Sequence, residues 1–218
     1  MSFFDPINVA PRPDDADTAP EEPWVQPEWL GPSEKILGGV VPIRTSLFHN
    51  DRLAIWLDRI LIYPTGLMVS LELYMPGNDI DGRKVSGAFP WALVDFEDNP
   101  QMRREQSIAS EDYFRFGIRY GDGRAAMTTT REEGENSYCR YLESPPDTDG
   151  LVIIPSYGSG GGGRCSISLW AWPGPNNESV ELLAQWPAAH VPDVSVTVPA
   201  DVITRGMSDI VDLWPPPD

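Results

Sequence analysis

The sequence predicts an all-β fold: an antiparallel two-sheet β-sandwich of about eight strands, with a short C-terminal helix and a disordered acidic N-terminal arm. Three observations carry that expectation. Leu151–Val198 holds four apolar runs of strand length, joined by a glycine tract, a Pro-Gly-Pro-Asn-Asn turn and a proline-marked bend. Leu67–Met75 alternates cleanly, with Leu67, Val69, Leu71, Leu73 and Met75 on one face. Tyr113–Tyr120 alternates too, placing Phe114, Phe116, Ile118 and Tyr120 opposite Arg115 and Arg119.

The elements follow in order. Residues 1–35 form an acidic, proline-rich arm. Positions 1–34 contain seven prolines and eight acids, a composition that cannot bury enough surface to order itself. Trp24, Trp29 and Leu30 are unusual there. They read either as a lead-in docking onto the first strand or as a short linear motif with an aromatic anchor. A single β domain spans 36–218. Val40–His49 is a strand, with Pro42 pointing to a sheet edge. Asn50-Asp51 turns the chain into Leu53–Tyr63, and Pro64-Thr65-Gly66 turns it into Leu67–Met75; the three strands form a meander. Residues 76–112 form a long loop or insertion, with Trp91 as its anchor. Gly121-Asp122-Gly123 is a hairpin signal after Tyr120, and Arg124–Thr130 returns the chain. Residues 131–150 are a second long, acidic loop, and Leu151 opens a second meander. Pro199, Asp201 and the spacing of Val202, Ile203, Met207, Ile210, Val211 and Trp214 predict a helix over 199–214. It closes one end or edge of the sandwich or binds a partner; Gly206 weakens it.

Net charge is −17, but it is peripheral. Residues 1–34, 131–149 and 193–218 carry −7, −4 and −4, leaving a body with 12 Lys/Arg against 14 Asp/Glu. Such a distribution solvates tails and a loop and discourages binding to nucleic acid or anionic membranes. The first 20 residues lack a basic n-region and an apolar h-region, and no apolar run reaches the roughly 20 residues of a membrane span. The expectation is a cytoplasmic protein. Cys139 and Cys165 are then expected as reduced thiols, with Cys165 in a strand and Cys139 in a polar segment.

Motifs that suggest chemistry fail on their surroundings. Gly158–Gly163 satisfies G-x-G-x-x-G and, with Arg164 and Cys165, approaches a phosphate loop. Such loops need a following helix; Cys165–Trp172 has period two and is a strand. Arg stands where that loop's Lys would be, and Cys where its Ser/Thr would be. The tract reads as a flexible hairpin loop, with an Arg164 anion nest as the remaining functional reading. Asn78–Gly82 lacks the first acid and the final Glu of a calcium loop. His49 and His190 have no partner at zinc-ligand spacing, and no G-x-S-x-G elbow occurs. No cofactor and no catalytic or metal residues are assigned.

Trp170 and Trp172 share a strand face with Ser166 and Ser168, opposite Cys165, Ile167, Leu169 and Ala171. That face is either covered, by the closing helix or the acidic tail, or is an aromatic platform for a protein or a sugar. The candidate interaction residues are therefore Trp170, Trp172, Arg164, Trp24 and Trp29.

The segments Tyr63–Gly66 (YPTG), Tyr120–Arg124 (YGDGR), Gly160–Pro175 with its SLWAWPGP, Gln185–Ala188 (QWPA) and Leu213–Pro215 (LWP) together resemble a family of uncharacterised bacterial proteins, chiefly of the high-GC Gram-positive type. The resemblance implies a single β domain and no known activity. The functional expectation is a non-catalytic protein-binding or scaffold protein, able to form homo-oligomers. The alternatives are a small-ligand protein or enzyme with its site at the loop end of the sandwich, and an acidic DNA mimic.

Overall fold

The computed structural model describes residues 25–76, 114–128, 146, 150–161 and 163–215. The described residues are mostly β with one α-helix, and their strands form three antiparallel sheets. A five-stranded sheet has the order β2 (Gly39–His49), β3 (Ala54–Ile62), β4 (Leu67–Tyr74), β8 (Arg164–Trp172), β7 (Val152–Gly161). A four-stranded sheet has the order β10 (Val191–Val198), β9 (Val180–Trp186), β5 (Arg115–Tyr120), β6 (Ala125–Met127). The third sheet pairs the two-residue strands β1 (Ile36–Leu37) and β11 (Val211–Asp212).

Period-two patterning explains the core. The inward residues of β4 (Leu67, Val69, Leu71, Leu73) are fully buried, as are Ile167, Leu169 and Ala171 of β8. They join Phe116, Ile118 and Tyr120 of β5 and Val180 and Leu182 of β9 in one hydrophobic core shared by the two larger sheets. Pro42 lies on β2, an edge strand of the five-stranded sheet, where its missing N–H disturbs no inner ladder. Asn50 caps the β2–β3 turn by accepting from the N–H groups of Arg52 and Leu53, both at 2.8 Å.

Several expectations are corrected. Leu151–Val198 is not one meander. β7 and β8 belong to the five-stranded sheet, and β9 and β10 to the other, so the chain changes sheets at the Pro-Gly-Pro-Asn-Asn turn. β8 is already flanked by β4 and β7, which leaves β9 no edge there. The glycine tract is mostly strand: β7 runs to Gly161 and β8 begins at Arg164. Gly163, at φ 81°, takes the left-handed turn position. A strand does follow the tract, which removes the phosphate-loop geometry. Residues 25–35 pack on the sheet in part, with Leu30 2% exposed, so the arm as expected is too long. The loops at 76–112 (beyond Pro76) and 131–150 (apart from 146 and 150), with Trp91, Cys139 and the 78–82 acids, lie outside the described residues.

The helix, α1, is shorter than expected: Ala200–Ser208, with Pro199 at its N-cap. Val211–Asp212 instead pairs with Ile36–Leu37, and the Leu213 N–H donates to the Lys35 carbonyl at 2.8 Å. The tail's backbone groups thus find strand partners rather than continuing the helical ladder. α1 packs on β2 and β3, the closing role foreseen for it. Gly206, which weakens the helix in isolation, is what allows the approach. A Cβ there would lie 2.7 Å from Val41 Cγ2 and 3.1 Å from Ile62 Cγ1. A Cβ on Gly39 would collide with the Gly206 carbonyl.

Gly39→Ala should therefore destabilise the fold by about 1–3 kcal/mol through overpacking. Gly206→Ala should also destabilise, although alanine favours a helix by about 1 kcal/mol over glycine. Urea unfolding should show lower midpoints with unchanged slopes for both.

Candidate functional site

The outer face of the five-stranded sheet is apolar at one end and polar at the other. At the apolar end, Trp170 pairs across β4 with Met68 and across β7 with Ile154, and Trp172 pairs with Val152. Trp170 is 0% exposed and Trp172 6%, so neither is an open platform. The cover is not the closing helix but part of the acidic N-terminal tail, the other of the two expected covers. It is the turn at residues 27–30, where the Leu30 N–H donates to the Pro27 carbonyl at 3.0 Å. The Trp170 indole N–H donates to the Glu28 main-chain carbonyl at 3.1 Å. Trp29 meets Trp172 edge-on, with ring centroids 6.4 Å apart and planes at 68°. Tyr63 meets Trp170 likewise, at 5.5 Å and 70°. Trp29 thus docks as a lead-in to the first strand; Trp24 lies outside the described residues.

At the polar end, Arg164 does not form an anion nest with the glycines. Its Nε donates to Glu72 Oε2 at 2.9 Å, and its guanidinium lies 5.4 Å from the Tyr74 ring centroid. Ser166 Oγ also donates to the Glu72 carboxylate at 2.9 Å. Burial alone would raise the Glu72 pKa, but the Arg164 and Ser166 hydrogen bonds outweigh it and hold the carboxyl below its usual range. These groups satisfy one another. Burial pushes the Cys165 thiol up to about 11, with the Glu72 charge adding to the effect.

Three of the motif segments meet at one corner through residues 172–175. The Tyr120 hydroxyl donates to the Pro173 carbonyl at 3.1 Å. Arg124 donates to the Gly174 carbonyl at 3.3 Å, pairs with Asp122 at 2.7 Å, and lies 5.0 Å from the Tyr120 ring centroid. The Gly174 N–H donates to the Thr65 carbonyl at 2.9 Å. A Cβ on Gly66 would approach the Ala171 carbonyl to 2.6 Å and would strike the Trp170 ring, so only glycine closes this turn against β8. The corner locks the two larger sheets together and leaves no spare reactive group.

The outer face of the four-stranded sheet differs. It carries a hollow of about 540 Å³, open to solvent. Gly117 faces Met127 on β6 and Leu183 on β9, and a side chain is missing where neighbours carry one. Leu183 is half-buried and Met127 is 63% exposed. On one side Arg115 donates to Gln185 Oε1 at 3.0 Å; Asp193 and Ser195 of β10 line the other. Arg119 on β5 pairs across the sheet with Glu181 on β9 at 2.9 Å. This hollow was not among the expected sites. Two signals pointed to it: a glycine inside an alternating strand, and adjacent Leu182-Leu183, of which one must face outward.

His49 and His190 are both exposed. Among the described residues no group of three or more His, Cys, Asp or Glu is placed to hold a metal ion. No described helix is long and apolar enough to cross a membrane. Comparisons of the chain with protein-family models, with curated proteins and with solved structures found no match.

Two titrations test this geometry. Burial raises the Tyr120 pKa, Arg124 opposes that, and Asp122 adds to it. Because the folded-state pKa lies above that of the unfolded chain, the associated stability is intact below about pH 10 and is lost as pH rises above it. The urea midpoint should fall between pH 9 and pH 11, and Tyr120→Phe should flatten that fall. In a Cys139→Ser background, the remaining thiol, Cys165, should react with iodoacetamide at pH 8.5 at least tenfold more slowly in the native protein than in urea.

Proposed function

We propose that this protein is a non-catalytic cytoplasmic binding or scaffold protein, and that its two larger sheets form a β-sandwich presenting a protein-docking surface. The observation that carries this reading is the hollow over Gly117. The outward face of an antiparallel sheet is ordinarily polar. Here Leu183, Met127 and Ala125 interrupt it, while at the rim Arg115 is tied to Gln185 and Arg119 to Glu181. An apolar centre within a polar rim is the anatomy of a protein interface. The proposal extends to membership of the bacterial family that the motif segments resemble. The peripheral acidity is less suited to a DNA mimic, which needs charge fixed on the folded surface.

A second reading, a small-ligand site, is favoured by the hollow's volume of about 540 Å³, within the range of small-molecule pockets. It would lie on a sheet face rather than at the loop end first expected.

Affinity capture with the full chain should retrieve a discrete protein that Leu183→Lys fails to retrieve, with capture reduced at least tenfold and far-UV circular dichroism unchanged. Equal capture by the variant would remove the hollow as the docking surface. Turnover of a small molecule that Leu183→Lys abolishes would replace the reading with the ligand site.

A further inference from the structure

We infer that the outer face around Trp170 and Trp172 is a peptide-recognition groove, and that residues 26–31 occupy it as a displaceable ligand supplied by the chain itself. The inference rests on the protein-binding reading above and adds a second site with a defined partner chemistry: a peptide turn offering a Trp-Leu pair followed by glycine.

The contacts are of the kind that recognise peptides. Leu30 is an anchor, 2% exposed, and lies outside the central core cluster. Trp29 adds an edge-on aromatic contact to Trp172. The Trp170 indole N–H reads a main-chain carbonyl, that of Glu28, which any peptide carries. Apolar anchors together with a main-chain hydrogen bond are how grooves hold extended or turned segments.

The groove is built without the segment. Met68, Trp170 and Ile154 project from adjacent strands of a five-stranded sheet whose other face is core. Tyr63 and the Gly66 turn pack against Trp170 from the sheet side. The segment, by contrast, is lightly attached. None of residues 25–35 belongs to a strand, and residues 33–35 are exposed. The first strand beyond it is β1, two residues long and paired only with the two exposed residues of β11. Release breaks no strand pairing within the two larger sheets, and a peptide that replaces the segment keeps Trp170 covered.

Tethering gives the resident segment an effective concentration on the order of millimolar, so a free peptide competes poorly until the resident is weakened. This sets the test. A labelled peptide with the sequence of residues 25–35 (VQPEWLGPSEK) is titrated into the full chain and into the full-length variant Leu30→Asp, with anisotropy as the readout. The variant should bind at least tenfold more tightly than wild type, and the same peptide with Trp and Leu replaced by alanine should lose binding to it. Trp29→Ala in the chain should give the same ordering by a milder change, and serves if Leu30→Asp does not fold. Absence of saturable binding to either folded variant would overturn the inference. So would a concentration-dependent wild-type dimer that Leu30→Asp abolishes, because a second copy would then be the occupant. Leu183→Lys should leave peptide binding unchanged, so failure here is separable from failure of the hollow as a docking surface.

Discussion

The burial of Trp170 is the constraint on which the rest of the structure depends. β8 is an inner strand, flanked by β4 and β7, and one of its faces is committed to the core through Ile167, Leu169 and Ala171. Its other face carries two tryptophans. A strand apolar on both faces must be covered on both sides, and an indole N–H taken from water must find an acceptor. Residues 27–30 meet both needs, one through Leu30 and Trp29, the other through the Glu28 carbonyl. The same strand then sets the corner. Directly after Trp172, residues 173 and 174 offer carbonyls to Tyr120 and Arg124 of the other sheet and an N–H to the Thr65 turn. Scattered motif segments are thereby one structural device.

Within the described body, Arg119 pairs with Glu181 and Arg164 with Glu72 across strands, and Arg124 pairs with Asp122 within the turn between β5 and β6. The first two are partly exposed and add little to stability individually. Their role is to hold long side chains in defined directions. Around the Gly117 hollow this keeps the rim polar without placing a charge over the apolar floor.

Much of the fold was legible in the sequence because period-two alternation depends only on local chain geometry. Leu67–Tyr74, Arg115–Tyr120 and Val180–Trp186 follow it, and their inward residues are buried. The failures share a cause. The split of the last four strands between sheets depends on which edges are already occupied, and alternation carries no such information. The glycine tract resembled a loop because glycine disfavours strands in general, yet pairing with β8 holds it extended. Helix periodicity beyond Ser208 was overridden when β1 captured the following backbone. For the candidate sites, the sequence singled out Trp170, Trp172, Trp29 and Arg164 as residues needing an explanation but could not say what met them. The hollow's signals, Gly117 and Leu183, were visible and ambiguous, since a strand glycine also marks bulges.

The sequence by itself determined the class of fold and the inward faces of β4, β5 and β8, because each is set by residue type and near-neighbour spacing. Only the tertiary structure decided that a turn of the N-terminal segment closes the tryptophan face, that Gly206 and Gly39 let the helix approach the sheet, and that a missing side chain at Gly117 opens a hollow on the opposite sheet. Those outcomes depend on contacts between distant residues, Trp170 and Glu28 being 142 positions apart, which local spacing does not encode.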